Sequence, residues 1–152
     1  MKMSKKEILK SLRINHAFSL FAVALVIVAF ETGLLVKGAL SELMPVNGMY
    51  VLEVVVIMST VLLVPYAIKG FSGALNKALG CSEEDFLKLF ARKSLQRIFI
   101  LFVTLLLNTF VYYGVCYDGS LYCGLLSLCA LLYSFPAKQV LEGYLEKNVN
   151  VK

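Results

Sequence analysis

Two glutamates stand in or beside long apolar stretches of this 152-residue chain, at positions where an ionisable group suggests chemistry. Glu31 lies near the end of the first stretch and Glu53 near the start of the second. A charge in hydrocarbon is costly unless it is paired, so one hypothesis is a shared carboxylate site for a cation or proton. The alternative is that both acids lie near a membrane surface, where water reaches them and Lys37 is close.

Asn108 is the polar residue nearest the middle of the third apolar stretch, and Thr104 precedes it by one helical turn. An amide surrounded by hydrocarbon gains free energy by hydrogen-bonding to a polar group on a neighbouring helix. We therefore expect Asn108 to join two helices, and we include it among the candidate functional residues.

Two of the four cysteines, Cys116 and Cys123, bracket a short polar hairpin. In an oxidising compartment they could form a disulfide, provided that the hairpin brings their Cα atoms within about 7 Å. A structural bridge, two unpaired thiols and a redox-active pair all remain open. Four-helix membrane oxidoreductases that form disulfides carry a closely spaced C-x-x-C pair, which this chain lacks, and this argues against the redox hypothesis.

The elements that must position these residues are four apolar runs, at about residues 14–36, 49–68, 98–115 and 121–136. The chain is 59% hydrophobic and 16% charged, against about 45–50% and about 25% in soluble domains. A helix needs about 20 mostly apolar residues to cross a bilayer, and the first three runs are close to that length. The sequence therefore predicts an all-α fold, a four-helix transmembrane bundle that forms a single integral membrane domain over residues 1–152.

The distribution of lysine and arginine predicts how this bundle is oriented. Five precede the first run, one lies between runs one and two, six lie between runs two and three, none lies between runs three and four, and three follow run four. Fourteen are thus on one side and one on the other. Because basic residues near span ends stay in the cytoplasm, we expect both termini to be cytoplasmic and the protein to lie in a bacterial inner membrane.

The predicted inner connection, residues 69–97, is amphipathic and contains the clearest local signal in the chain. The sequence Ser82-Glu83-Glu84-Asp85 matches a helix N-terminus, with a capping serine and acids in the first turn. We expect one helix from about residue 83 to about residue 113, so that the first and third helices extend into the cytoplasm. Four basic residues of that extension form the predicted basic inner face: Lys88, Arg92, Lys93 and Arg97.

The fourth run is short if it ends at Pro136. Apolar residues continue at helical spacing beyond the proline, which favours a helix that extends, kinked, to about residue 146.

No catalytic, cofactor-binding or metal-binding motif is found in the sequence. His16 is the only histidine and has no partner at ligand spacing, so we predict no metal site. The basic residues are spread beside membrane ends rather than gathered in a soluble module, which argues against nucleic-acid binding and favours attraction to anionic lipids of the inner leaflet.

The leading functional hypothesis is a non-enzymatic accessory or regulatory protein that acts through its basic cytoplasmic face, on a protein partner or a second copy of itself. The first alternative is a small transporter or channel subunit that uses Glu31 and Glu53 near the outer interface. The second is a membrane redox protein that uses Cys116 and Cys123.

Overall fold

The structure, a computed structural model, describes residues 5–150, and within that range every regular element is a helix. The prediction of an all-helical protein is confirmed. The helices are α1 (Lys5–Glu31), α2 (Ala39–Leu43), α3 (Val46–Lys77), α4 (Glu83–Val115), α5 (Asp118–Tyr133) and α6 (Lys138–Asn150).

Three of these helices, α1, α3 and α4, are long and apolar enough to cross a membrane. A fourth crossing is reached if α5 and α6, which are bent by 62° with respect to each other, are counted as one span. Many large apolar side chains on their flanks are exposed, among them Phe18, Leu62 and Phe99. The exposed apolar flanks and the helix lengths together indicate a membrane protein.

Helix α4 is central and packs against α1, α3 and α5. It begins as the sequence predicts, because Ser82 Oγ accepts a hydrogen bond from the backbone N–H of Asp85 at 3.2 Å. The helix then continues without interruption to Val115, which confirms a single element across the predicted third span. Its fully buried residues, such as Phe90 and Leu101, place the core along one side of this helix.

The boundaries of α1 and α3 differ from the predicted ones. Helix α1 ends at Glu31 rather than near residue 36, and Gly33 adopts a left-handed backbone with φ of 77° just after it. Helix α3 passes through Pro65 and runs on to Lys77, so residues 69–77, which the sequence assigns to the inner connection, instead prolong this helix. The physical reason is that Ala67, Phe71 and Leu75 keep the same buried face beyond the proline.

The fourth predicted span is two helices rather than one kinked helix. Residues 134–137 separate α5 from α6. Pro136 explains the break, since it lacks a backbone N–H and disfavours helical geometry at the residue before it. Helix α6 packs through Leu141, which is 1% exposed, and through Asn148. Asn148 Oδ1 accepts from the N–H of Gly80 at 2.6 Å, which ties α6 to the turn between α3 and α4.

The short helix α2 was not predicted from the sequence. It packs on the end of α4, where Leu40 lies against Gly114. A methyl group added at Gly114 would come within 2.5 Å of Leu40 Cδ1, so the absence of a side chain makes this close approach possible. The backbone N–H of Gly38 donates to the carbonyl of Tyr113 at 2.8 Å and fixes α2 to the same helix end.

Candidate functional site

The break between α5 and α6 exposes backbone carbonyls that need hydrogen-bond donors. The first donor is His16 of α1, which is 3% exposed and whose Nε2 lies 2.9 Å from the carbonyl oxygen of Leu131. A carbonyl oxygen can only accept, so Nε2 must carry the proton in this contact. The imidazole also packs edge-on against Phe135, with ring centroids 5.4 Å apart. His16 is therefore a helix-joining residue in this fold.

Arg97 of α4 supplies the second donor, and the structure places it differently from the exposed face that the sequence predicts. It is only 9% exposed, and its Nη2 donates to the carbonyl of Ser134 at 2.8 Å. Its guanidinium carbon lies 4.0 Å from the ring centroid of Phe71 on α3, a close cation–π contact. Arg97 thus joins three parts of the fold, namely α3, α4 and the break.

Arg13 of α1 is the third donor, since its Nε lies 3.4 Å from the carbonyl oxygen of Pro136. Its guanidinium group also lies over the ring of Phe135, at a longer distance. Peptide groups freed by a helix break are costly in hydrocarbon unless nearby side chains satisfy them. Arg13 and Arg97 do so here for Pro136 and Ser134. His16 adds a further donor to the carbonyl of Leu131, which also accepts from the Ser134 hydroxyl at 2.8 Å. Sequence reasoning missed this arrangement.

A basic groove lies between the first turns of α1 and helix α6. Its volume is about 540 Å³. The cations that line it are Lys5, Lys6, Lys10, Arg13 and Lys138, and the acid is Glu142. Two of these cations have carboxylate partners, since Lys5 lies 2.6 Å from Glu83 and Lys138 lies 3.1 Å from Glu142. With five cations along its walls against Glu142 on the wall and Glu83 beside it, the groove carries net positive charge.

The other predicted basic residues of α4 form a surface with less positive charge than the groove. Lys88 is paired with Glu84 at 3.5 Å, and Lys93 donates to Gln96 at 3.1 Å. Arg92 is exposed. Because Arg97 is turned into the protein, the greatest density of exposed positive charge lies at the groove rather than on α4.

The two candidate acids have different neighbours. Glu31 accepts from Lys37 Nζ at 2.8 Å and from the Tyr113 hydroxyl at 2.7 Å, so it joins the end of α1 to α4. Glu53 of α3 lies against Gly119 in the first turn of α5, where a carboxylate is favoured by the helix dipole. These contacts give both acids structural roles, and a transport role stays a prediction.

Asn108 joins two helices, as its position in the third run suggests. Its Nδ2 donates to Thr60 Oγ1 of α3 at 2.8 Å and to the carbonyl of Thr104 at 2.8 Å.

Cys116 and Cys123 are free thiols in the structure, and a redox role for them likewise stays a prediction.

Within residues 5–150, no group of three or more histidine, cysteine, aspartate or glutamate side chains is arranged to hold a metal ion.

Comparison with models of protein families, with curated proteins and with solved structures finds no match to this chain.

Proposed function

We propose that this chain is a non-enzymatic accessory or regulatory protein of a bacterial inner membrane, which binds an acidic segment of a partner protein in its basic groove. The observation that carries the proposal is the groove between α1 and α6, where Lys5, Lys6, Lys10, Arg13 and Lys138 line one surface. Lys6 and Lys10 are exposed there, so they can reach a second molecule.

The groove also has an apolar component, which suits a peptide segment better than a simple ion. Its floor includes Leu9 and Leu141, which are 8% and 1% exposed, and Leu145 lines it as well. Acidic side chains of a partner would pair with the lysines while its apolar side chains cover this floor. The anionic headgroups of the inner leaflet would meet the remaining basic residues at the same end of the molecule.

The topology that accompanies this proposal is a four-helix transmembrane bundle with both termini and the groove in the cytoplasm. The native cysteines test it. Cys116 lies at the end of α4 far from the groove, while Cys81 lies in the turn that joins α3 and α4. A membrane-impermeant maleimide should label Cys116 in intact cells and Cys81 only after the membrane is opened. Labelling of Cys81 in intact cells would contradict the proposed orientation and indicate the opposite one.

The partner is tested by placing a photo-crosslinking amino acid at position 10 and irradiating living cells. We expect one discrete crosslinked protein, and we expect the yield to fall at least tenfold when Lys6 and Lys138 are both changed to glutamate. Two charge reversals in the groove place like charges opposite an acidic segment, and such juxtaposition costs several kcal/mol.

Position 77 provides the matched control, because Lys77 is an exposed lysine at the same end of the molecule but outside the groove. A crosslinker there should not capture the same protein, and Lys77→Glu should leave the yield from position 10 unchanged. Adducts to lipid alone, or equal capture from positions 10 and 77, would contradict the proposal.

A further inference from the structure

A small polar recess lies between α3 and α4 and shares no lining residue with the basic groove. Its volume is about 50 Å³. Lys93, Gln96 and Arg97 line it from α4, and Tyr66 and Gly70 line it from α3. A cavity needs about 10–15 Å³ to hold one water molecule, so this recess has room for a group of several heavy atoms.

Two cations line the recess, and none of its described lining residues is an acid. Lys93 donates to Gln96 Oε1 and Arg97 donates to the carbonyl of Ser134, so both cations have neutral partners. Neither forms an ion pair with a carboxylate of residues 5–150. Arg97 is only 9% exposed, and a buried charge without a counter-charge is costly. An anion in the recess would therefore stabilise this arginine.

The guanidinium group of Arg97 keeps one nitrogen available for such an anion. Nη2 donates to Ser134, and Nε is enclosed by protein without a partner. Nη1 likewise has no hydrogen-bond partner in the described part of the chain, but it is not enclosed. Lys93 precedes Arg97 by one helical turn, which puts the two side chains on neighbouring positions of the helix surface. The ammonium group also has three donors, of which Gln96 uses one, so both cations can bind the same anion.

The recess lies at the depth where phospholipid phosphates are expected. About 27 Å of helix separates Arg97 from Val115 at the far end of α4, at 1.5 Å per residue. The hydrocarbon core of a bilayer is about 30 Å thick, so a span that ends at Val115 reaches the opposite surface near Arg97. Leu62, one helical turn before Tyr66 on α3, is 69% exposed and offers apolar surface to an acyl chain.

We propose that this recess binds the phosphate group of an anionic phospholipid from the surrounding leaflet. Lys93 and Arg97 bind the phosphate oxygens, and the acyl chains lie along the exposed apolar flank at Leu62. Basic pockets between membrane helices commonly bind anionic headgroups. The site differs from the general attraction of exposed lysines to the leaflet, because here a nearly buried guanidinium lacks a counter-charge.

Native mass spectrometry of the purified protein in micelles counts the phospholipid molecules that stay bound. We expect one molecule of phosphatidylglycerol to bind more tightly than any that follow, and in preference to phosphatidylcholine, whose choline group adds a third cation. Inorganic phosphate should not displace this molecule, because it makes no contact with the apolar flank. Displacement by inorganic phosphate would assign the recess to the free ion, and equal binding of the two lipids would remove the role of its charge; either result would overturn the proposal.

Neighbouring cations on α4 give a matched pair of variants. Lys93→Gln should weaken the tight site at least about tenfold, through loss of one hydrogen bond from a charged donor. Arg92→Gln removes the same charge from an exposed residue that does not line the recess, so it should leave the tight site unchanged. An equal loss in both variants would show that net charge alone attracts the lipid.

Two glycines of α3 give a second matched pair that leaves both cations in place. A methyl group at Gly70 or at Gly73 meets no atom within 4 Å, so each position accepts a side chain without a clash. Gly70 lines the recess and Gly73 does not. Gly70→Glu supplies the missing carboxylate beside Lys93 and Arg97 and should abolish the tight site, whereas Gly73→Glu adds the same charge elsewhere and should preserve it. Equal lipid binding by these two variants would overturn the proposal.

Discussion

Replacing Arg97 with alanine is expected to lower the free energy of unfolding by about 2–3 kcal/mol. The change removes the hydrogen bond to the carbonyl of Ser134 and the cation–π contact with Phe71, and it leaves that carbonyl without its donor. A hydrogen bond from a charged group contributes about 1.5–3 kcal/mol, and a desolvated cation–π contact about 2 kcal/mol. The cost of burying the guanidinium offsets part of this sum, since the structure gives Arg97 no carboxylate among the described residues.

A titration with SDS in mixed micelles measures this change, and Arg92→Ala is its control. Arg92 is an exposed residue of the same helix, five positions earlier, so its replacement should change stability by no more than about 0.5 kcal/mol. Arg97→Met separates charge from packing, because methionine keeps a long apolar stem over Phe71 but cannot donate to Ser134. Equal stability of Arg97→Ala and Arg92→Ala would show that Arg97 does not hold the break together.

Local signals in the sequence are enough to predict where α4 begins. The cap at Ser82 depends on a residue three positions away, whereas the sequence at Pro136 predicted one kinked helix and the structure has a break of four residues there. The size of the bend, 62°, was not predictable because it depends on what α6 packs against. The contact that fixes it joins Asn148 to Gly80, residues that are 68 positions apart in the chain.

Two of the three donors at the break, Arg13 and His16, were missed because their partners are even more distant in sequence. His16 and Leu131 are 115 positions apart, and no periodic pattern reports such a pair. The burial of Arg97 did leave a signal. Arg97 lies on the same buried face of α4 as Phe90, Ser94 and Leu101, at spacings of seven, three and four residues from them. Because Arg97 was grouped with Lys88 and Arg92 by charge alone, its position on this buried face was missed.

Asn148→Ala is expected to release α6 while leaving every cation of the basic groove in place. Asn148 is 3% exposed, and its amide both accepts from the N–H of Gly80 at 2.6 Å and donates to the carbonyl of Cys81 at 3.2 Å. Losing both bonds leaves two backbone groups of a turn unpaired, which costs about 1–3 kcal/mol. Because α6 is otherwise attached through three side chains, Leu141, Tyr144 and Leu145, this cost falls on the docking of α6 rather than on the whole fold.

Amide hydrogen exchange measures the effect. Exchange within α6 should accelerate about tenfold for each 1.4 kcal/mol lost, while the amides of α4 stay protected. Asn150→Ala is the control, because Asn150 is exposed in the same helix and two residues away. Protection of α6 that is equal in the two variants would show that Asn148 does not dock this helix.

The same pair of variants tests whether the groove acts through its shape or only through its charge. The groove exists because α6 lies beside α1, with Lys138 and Leu141 on one side and Lys10 on the other. If an acidic partner needs both walls, crosslinking from position 10 should fall in Asn148→Ala in proportion to the fraction of molecules whose α6 is undocked, and it should be unchanged in Asn150→Ala. Full crosslinking from position 10 in molecules whose α6 is undocked would instead assign binding to the lysines of α1 alone. That result would contradict a binding site made by both walls of the groove.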